Sequence, residues 1–272
     1  MRQPSSSRCR SAAADTYAGV VTARLRRRGL IGLLVGGLAL AGCGSGARPA
    51  AVPQCTAGSF VLTVEQAQNA ATIAAVGQRL RLPDHAVTIA LATALQESKL
   101  RNLSYGDRDS VGLFQQRPSQ GWGPPAKLRV PRLSSAAFYN RLVKVPGWAS
   151  LPLTEAAQRV QRSGAPDAYA QWEDQARGLA RALTGEVPAG LACRFRPVHR
   201  PDPALEQTAV LELGPGGLTR TGAARTWASA AWLVAHASAY GVTVVSLDGQ
   251  TWTAKTGAWR PDAKAASVLA WR

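Results

Sequence analysis

Residues 84–119, DHAVTIALATALQESKLRNLSYGDRDSVGLFQQRPS, decide the fold of this chain. The first half of this stretch is apolar or small almost all the way round, a pattern typical of a helix buried in the middle of a domain. Pro83 and Asp84 stand where a helix start favours a fixed φ and an oxygen-bearing side chain. We therefore predict a core helix that begins at Asp84 and ends near Glu97.

Glu97 is an ionisable residue in the last turn of this predicted core helix. Because residues three and four apart share a helix face, it continues the stripe of Ala90, Thr93 and Ala94. A carboxyl on such a stripe is poorly solvated, and desolvation favours the protonated form. A protonated carboxylic acid near neutral pH is what a general acid for glycosidic cleavage needs. The alternative is a helix-end Glu whose head reaches water or pairs with Lys99, since buried carboxylates are rare.

Three short motifs follow one another here: Glu97-Ser98, then GLFQQRP at 112–118, then GWG at 121–123. In this order and spacing they resemble the motifs of the lytic transglycosylase and goose-type lysozyme superfamily, and most closely its actinobacterial and phage-tail branch. The resemblance covers residues 63–183, less than half of the chain. It implies a mainly α, lysozyme-like domain with a short β-hairpin. It also implies cleavage of the MurNAc–GlcNAc bond of peptidoglycan by Glu97, with no metal or other cofactor.

The resemblance also implies roles for the neighbours of Glu97. Ser98 would support the site by hydrogen bonding, and Gln115 would lie near the catalytic carboxyl. Because side chains alternate along a strand, only one of Gln115 and Gln116 would point into the cleft, and Gln115 matches the motif. Trp122 could stack on a sugar, although an indole in a loop more often anchors that loop.

The third motif of the superfamily centres on Ala-Tyr, usually followed by Asn. Two places in the chain fit it in part: Phe138-Tyr139-Asn140 and Ala168-Tyr169. We assign the role to Tyr169, although the missing Asn departs from the pattern. Either tyrosine could equally be a core aromatic.

Asp107 and Asp109 bear on the product of the reaction. A hydrolase uses a second carboxylate, either to activate water or as a nucleophile. Lytic transglycosylases need none, because a hydroxyl of the muramoyl unit attacks and a 1,6-anhydro product results. The two aspartates could position water, as in goose-type relatives, or simply form a turn around Arg108. The alternative to a lyase is therefore an N-acetylmuramidase.

The N-terminal residues predict export and anchoring. Four arginines at 24–28 precede an apolar run at 30–41 that is too short to span a bilayer comfortably, and Leu40-Ala41-Gly42-Cys43 follows. This pattern resembles a bacterial lipoprotein signal, in which Cys43 is lipidated. We predict a signal region at 1–42, a tether at 43–56 rich in small residues and Pro, and an extracytoplasmic protein held to the membrane by its lipid.

Charge and cysteine content limit the partners. The chain carries a formal net charge of +16, of which the leader contributes +6. That balance suits an anionic neighbour, and the lack of nucleic-acid-binding motifs favours wall polymer over nucleic acid. With Cys9 in the leader and Cys43 lipidated, Cys55 and Cys193 are left as a disulfide pair. We expect no metal site, because the three histidines lack ligand spacing.

The remaining chain divides into two predicted parts, a catalytic domain at 57–193 and a small α+β module at 194–272. Helices are predicted over 63–82, from 134, from 154, across 166–183, and over 222–240. Strands are predicted at 111–116, 209–213 and 268–271, with a hairpin around Asp248-Gly249. The module holds five of the eight tryptophans, which core packing explains better than wall binding.

Two other functions fit the anchor. One is a non-catalytic glycan-binding lipoprotein that keeps the cleft without turnover. The other is the solute-binding lipoprotein of a transporter, but the chain lacks the two-lobed α/β alternation expected of one. The sequence identifies no protein partner.

We predict that Cys43→Ala releases the protein from membranes, because the acyl chains on this cysteine are the proposed anchor. Fractionation of cells followed by immunoblotting measures the effect, with Cys9→Ala as the matched control. Retention of a correctly processed Cys43→Ala protein in the membrane fraction would contradict the lipoprotein prediction.

Overall fold

The computed structural model describes residues 52–196, 201–219 and 222–272. Residues 1–51, which include Cys43 and the predicted signal, lie outside this part. Within it the chain forms eight α-helices and two small antiparallel sheets, so the prediction of a mainly α protein with a small β component is confirmed. The helices are α1 Val64–Arg79, α2 Asp84–Ser98, α3 Pro125–Leu128, α4 Pro131–Leu142, α5 Leu153–Gln161, α6 Glu173–Thr184, α7 Ala204–Leu213 and α8 Ala223–Tyr240.

Helix α2 is the centre of the molecule. Ten consecutive residues, from Ala86 to Leu95, are buried, and the helix packs against α1, α4, α5 and α6. Its alanines and threonines let these neighbours approach from several sides. The helix begins at Asp84, whose carboxylate accepts a hydrogen bond of 3.0 Å from the Thr184 hydroxyl. The predicted core helix is confirmed, including its start and its end.

The C-terminal end of α2 is fixed by backbone geometry. Lys99 and Leu100 both adopt left-handed φ values, 55° and 61°, and their N–H groups bond back to the carbonyls of Leu95 and Ala94. Helix α1 holds the same turn, since the Asn69 side chain donates to the Leu100 carbonyl at 2.8 Å. The position of Glu97 is therefore set by contacts on both sides of it.

Helix α1 starts where the sequence predicts. Thr63 caps it, accepting a hydrogen bond from the N–H of Gln66, while the Gln66 side chain accepts one from the N–H of Thr63. Gly77 lets the α4 side chain Tyr139 approach closely, because a Cβ at that position would lie 2.8 Å from the tyrosine hydroxyl oxygen. Tyr139 donates this hydroxyl to the Ile73 carbonyl at 3.0 Å.

A three-stranded sheet closes one side of the helical core. Strand β1, Gln54–Ala57, pairs antiparallel with β2, Phe60–Leu62, and with β3, Leu191–Arg194. Cys55 lies directly opposite Cys193 in this register, and the two form a disulfide. The predicted disulfide is confirmed; the sheet around it was not predicted.

The segment after residue 200 contains α7, α8 and a four-stranded sheet in the order β6-β5-β4-β7. The strands are β4 Val244–Leu247, β5 Gln250–Thr253, β6 Ala258–Pro261 and β7 Ala270–Trp271. Asp248 and Gly249 form the predicted hairpin turn, and Gly241 ends α8 with a left-handed φ of 73°. The predicted helix over 222–240 and the predicted hairpin around Asp248-Gly249 are confirmed.

The predicted strand at 209–213 is wrong, because these residues complete α7. Asp202 accepts a hydrogen bond from the N–H of Ala204 at 2.8 Å and helps to start the helix. Glu212 then turns inward, where Trp232 Nε1 and the Thr72 hydroxyl donate to its carboxylate at 2.8 and 2.9 Å. An apolar run interrupted by one buried carboxylate cannot be separated from a short strand by periodicity alone.

The two predicted parts share a core. The described residues from 52 onward belong to one compact unit, in which α8 packs on α1, α6 and β3. Trp252 Nε1 donates to the Cys193 carbonyl at 3.0 Å, and Trp227, Trp232 and Trp252 are all buried. The core interpretation of these three tryptophans is confirmed, while the domain boundary at 193 stays a prediction. No helix in the described part of the chain is long and apolar enough to cross a membrane.

Candidate active site

Glu97 lies in the last turn of α2 and is partly buried. One carboxylate oxygen, Oε1, accepts two hydrogen bonds: from the Tyr169 hydroxyl at 2.8 Å and from Gln161 Nε2 at 3.2 Å. The other oxygen, Oε2, has no hydrogen-bond partner within the described residues. Both donors therefore act on the same oxygen of the carboxyl group.

The surroundings of Glu97 favour its protonated form. Burial raises the pKa of Glu97 above its ordinary value, and this effect outweighs the hydrogen bonds from Tyr169 and Gln161 and the nearby charge of Lys99, which lower the pKa. Burial, together with the neighbouring Glu97, raises the pKa of Tyr169 as well, so its hydroxyl remains a neutral donor. Tyr169 is therefore a donor to the Glu97 carboxyl that does not take its proton.

Ser98 is buried directly behind the carboxyl. Its hydroxyl is 3.1 Å from the Ala94 carbonyl and 2.7 Å from the Leu113 carbonyl, both of which can accept its hydrogen bond. This joins the end of α2 to the segment 111–116.

Segment 111–116 is a tight turn, so the predicted strand there is wrong. Val111 and Gln116 pair with each other through two backbone hydrogen bonds of 3.1 Å. Gly112 and Gln115 adopt φ values of 79° and 45°, which fold the segment back on itself. Leu113 and Phe114 are both fully buried instead of alternating in and out. A non-glycine residue with positive φ, such as Gln115, is not foreseeable from residue preference.

The two glutamines of the turn differ in exposure. Gln116 is buried, and its Nε2 donates to the Ser134 carbonyl at 3.1 Å, so it is unavailable to a substrate. Gln115 is partly exposed, but its Nε2 lies 3.3 Å from the Tyr105 carbonyl and 3.2 Å from the Gly112 carbonyl. In this geometry Gln115 holds the preceding loop against the turn.

Trp122 does not present a free face for a sugar. The indole is 9% exposed, and the Arg141 guanidinium lies over it, 3.5 Å from the ring centroid. Arg141 also donates to the Gln120 carbonyl at 3.0 Å, which keeps it in place. The expected stacking role is therefore corrected: Trp122 anchors its own loop by packing under a cation.

Tyr169 is the tyrosine that meets the carboxyl. It lies in a 3₁₀ turn, Pro166–Trp172, that packs against α2 and α5. Tyr139 is buried against Ile73 of α1, and its hydroxyl has no contact with Glu97. Of the two tyrosines, only Tyr169 is in contact with Glu97 in the described structure.

Gln161 is a contact of Glu97 that the sequence reasoning missed. Its Nε2 donates to Glu97 Oε1 and, at 2.7 Å, to the Phe114 carbonyl, so one amide bridges α2 and the turn. Its Oε1 is buried without a hydrogen-bond partner in the described structure. The available signal was helical spacing, because Gln161 lies four residues after the buried Ala157 and so on the inner stripe of α5.

A second missed feature flanks the carboxyl. The Lys99 ammonium lies over the Trp172 ring, 4.0 Å from its centroid, and burial lowers the pKa of Lys99 while Glu97 raises it. Trp172 Nε1 donates to Gln96 Oε1 at 2.7 Å. The contact between Lys99 and Trp172 keeps a cation beside Glu97 without a direct ion pair.

Neither aspartate forms a hydrogen bond or ion pair with Glu97 within the described residues. Asp109 accepts hydrogen bonds from Arg117 Nε at 2.8 Å and from the N–H of Ser119 at 2.7 Å, and these bonds hold its pKa well below the usual range. Asp107 has a side chain 89% exposed and lies 3.9 Å from Arg108. Asp109 therefore ties the loop to the residues after the turn, which is the turn-forming alternative.

A separate groove lies at the other end of α2. A groove of about 960 Å³ is lined by Arg79, Asp84, Arg225 and their neighbours. Asp84 and Glu97 are thirteen residues apart on α2, so the groove is about 20 Å from the carboxyl along the helix.

No protein-family model matches the chain, and a search of curated proteins found no similar sequence. The chemistry of the site is therefore judged from its own residues.

We predict that Gln161→Met shifts the pH dependence of catalysis toward higher pH. The N–H of Gln161 stabilises the charged carboxylate, so its loss raises the pKa of Glu97 further. If Glu97 acts as an acid, kcat/KM falls as pH rises through its pKa, and this fall should occur at higher pH in the variant.

The matched control is Gln78→Met. Gln78 Nε2 donates to the Thr184 carbonyl at 3.1 Å and its Oε1 is also buried without a partner, but it lies away from Glu97. A pH profile of Gln161→Met that coincides with those of the wild type and the control would show that this bridge does not tune the acid.

Proposed function

We propose that the protein is a lytic transglycosylase that cleaves the MurNAc–GlcNAc bond of peptidoglycan, with Glu97 as general acid and then general base. The observation that carries the proposal is the partly buried Glu97 carboxyl, whose Oε1 is engaged by Tyr169 and Gln161 and whose pKa burial raises. The Glu-Ser, GLFQQRP and GWG motifs support the same reaction and a lysozyme-like arrangement around the carboxyl.

The hydrogen bonds indicate which oxygen carries the proton. Oε1 already accepts from two donors, so a proton on it would face the hydrogens of Tyr169 and Gln161. The acidic hydrogen therefore belongs on Oε2, which has no partner among the described side chains. Oε2 is the atom that would protonate the glycosidic oxygen.

The reaction then divides into two proton transfers. In the first, the Oε2 proton passes to the leaving oxygen as the bond to C1 of the muramoyl unit breaks, and positive charge develops on the sugar ring. In the second, the Glu97 carboxylate takes the proton of the C6 hydroxyl of the same sugar as that oxygen bonds to C1. The carboxyl is restored to its starting state, and no water is consumed.

The charges around the site are suited to both steps. Lys99 and the hydrogen bonds to Oε1 stabilise the carboxylate after the first transfer, while burial restores the preference for the acid. Asp109 is held by Arg117 and Ser119, and Asp107 is exposed beside Arg108, which supports the lyase over the hydrolase.

The proposed compartment is extracytoplasmic, with the chain anchored through Cys43 and glycan strands as its polymeric partner. The Cys55–Cys193 disulfide supports this location, since disulfides persist in oxidising compartments. The basic character of the chain supports an anionic envelope as its surroundings.

We predict that Glu97→Gln lowers peptidoglycan cleavage by at least about 10²-fold, because the amide keeps the shape but cannot deliver a proton. Zymography and assays on purified cell walls measure the loss. The same assays separate an enzyme from a non-catalytic glycan-binding protein, for which the wild type would be inactive as well.

A measurement of Tm shows whether the Glu97→Gln protein is folded. The raised pKa of Glu97 means that the folded state binds the proton more tightly, so stability falls as pH rises from the unfolded to the folded pKa. The Glu97→Gln variant does not lose stability in this way. At a pH above the folded-state pKa of Glu97, its Tm should equal or exceed that of the wild type. Wild-type-like turnover in a folded Glu97→Gln protein would move the acid to another residue.

We predict that the released muropeptides end in 1,6-anhydromuramic acid, and that Asp107→Asn and Asp109→Asn each keep most of the activity. Asp107 is exposed and Asp109 is hydrogen-bonded within its loop, which supports a reaction that uses neither carboxylate. Mass spectrometry of the digested products measures this. Reducing-end products together with a large rate loss in one variant would identify a hydrolase and its base.

A further inference from the structure

Residues 102–110, which we call the 102–110 loop, are pressed onto the turn beside Glu97. The N–H of Gly112 donates to the Leu103 carbonyl at 2.7 Å, and Gln115 Nε2 lies 3.3 Å from the Tyr105 carbonyl. The contact is close at Gly106, where a Cβ would lie 1.8 Å from Gln115 Oε1 and 2.8 Å from the Ser110 carbonyl oxygen. Only glycine fits there without a shift of the loop.

The 111–116 turn is itself attached to the Glu97 carboxyl. Gln161 Nε2 bonds both Glu97 Oε1 and the Phe114 carbonyl, and the Ser98 hydroxyl reaches the Leu113 carbonyl. The 102–110 loop is therefore connected to Glu97 through the 111–116 turn. Its orientation relative to the carboxyl is set by the fold.

Tyr105 stands out on this loop. Its side chain is 66% exposed, and every other aromatic residue in the described part of the chain is buried or partly buried. Trp122, the other aromatic near the motifs, is covered by Arg141. A tyrosine ring has an apolar face of the kind that lines carbohydrate and small-molecule sites, with a hydroxyl that remains in water.

The neighbours of Tyr105 match this reading. Asp107 and Arg108 are strongly exposed on the same loop, and Arg108 has a left-handed φ of 56°. The loop therefore carries an exposed ring with a flat apolar surface and two exposed side chains with hydrogen-bonding groups. That combination fits a sugar, which presents C–H groups on its ring face and hydroxyl and acetamido groups at its edge.

We propose that Tyr105 forms a stacking subsite for a sugar of the glycan strand next to Glu97. The inference rests on the proposed function for its substrate class. It assigns the aromatic contact to the rigid 102–110 loop, in place of Trp122.

The test measures binding without turnover. The full chain carrying Glu97→Gln is purified in detergent and titrated with an oligomer of N-acetylglucosamine by calorimetry. Tyr105→Ala should weaken binding by about tenfold, as expected for loss of one aromatic packing surface. Tyr105→Phe keeps the ring and should remain within about twofold of the parent.

Val268→Ala is the control, because Val268 is 73% exposed in the C-terminal segment and its truncation removes a similar surface apolar group. It should leave the affinity unchanged. In the active enzyme, Tyr105→Ala should raise KM more than it lowers kcat, since stacking binds the ground state and the transition state alike.

Three results would overturn the subsite: unchanged affinity in Tyr105→Ala, an equal loss in Tyr105→Phe, or no oligomer binding by the parent. The first of these, combined with full loss of cleavage in Glu97→Gln, would leave the proposed function standing. Conversely, turnover that survives Glu97→Gln would reject the assigned acid while the binding series still reports on Tyr105.

Discussion

The burial of one carboxyl at the end of a core helix is the constraint on which the rest of this structure depends. Helix α2 is surrounded by other elements, and Glu97 occupies the point where it leaves the core. Desolvation would destabilise an isolated carboxylate there, so the fold supplies donors from Tyr169 and Gln161. Both donors act on the same oxygen, which makes the two halves of the carboxyl chemically unequal.

The segments near the Glu97 carboxyl contain uncommon backbone conformations and one unpartnered polar atom. Five of the eight non-glycine residues with positive φ in the described chain flank the site: Lys99, Leu100, Arg108, Gln115 and Arg162. Gln161 Oε1 is buried without a partner. Sparsely populated φ values and unsatisfied polar atoms persist where the surrounding structure holds them, and they are common at functional sites.

Sequence patterns reach as far as local physics does. The start of α2 at Asp84, the capping box of Thr63 and the Asp248-Gly249 hairpin follow from short-range preferences, and each was predicted. The turn at 111–116 depends on a positive φ at Gln115, and α7 on an apolar run whose periodicity is ambiguous, so both were misassigned. The pairing of β1 with β3 joins distant segments and was missed. Of the proposed site, motif spacing located Glu97, Ser98 and Tyr169, whereas the Gln161 bridge and the covering of Trp122 needed the tertiary structure.

The C-terminal segment is connected to the site through helix α1. Glu212 of α7 accepts a hydrogen bond from Thr72 in the middle of α1. One turn earlier on that helix, Asn69 holds the Leu100 carbonyl, and Gln66 Nε2 donates to the Lys99 carbonyl at 2.9 Å. These are the two left-handed residues that end α2 immediately after Glu97 and Ser98. Helix α1 is therefore hydrogen-bonded both to α7 and to the end of α2. Through α1, the described part of the segment after residue 200 helps to keep the carboxyl in place, although none of its residues contacts Glu97. This gives that segment a structural reason to share a core with the helices, whether or not it also binds a ligand of its own.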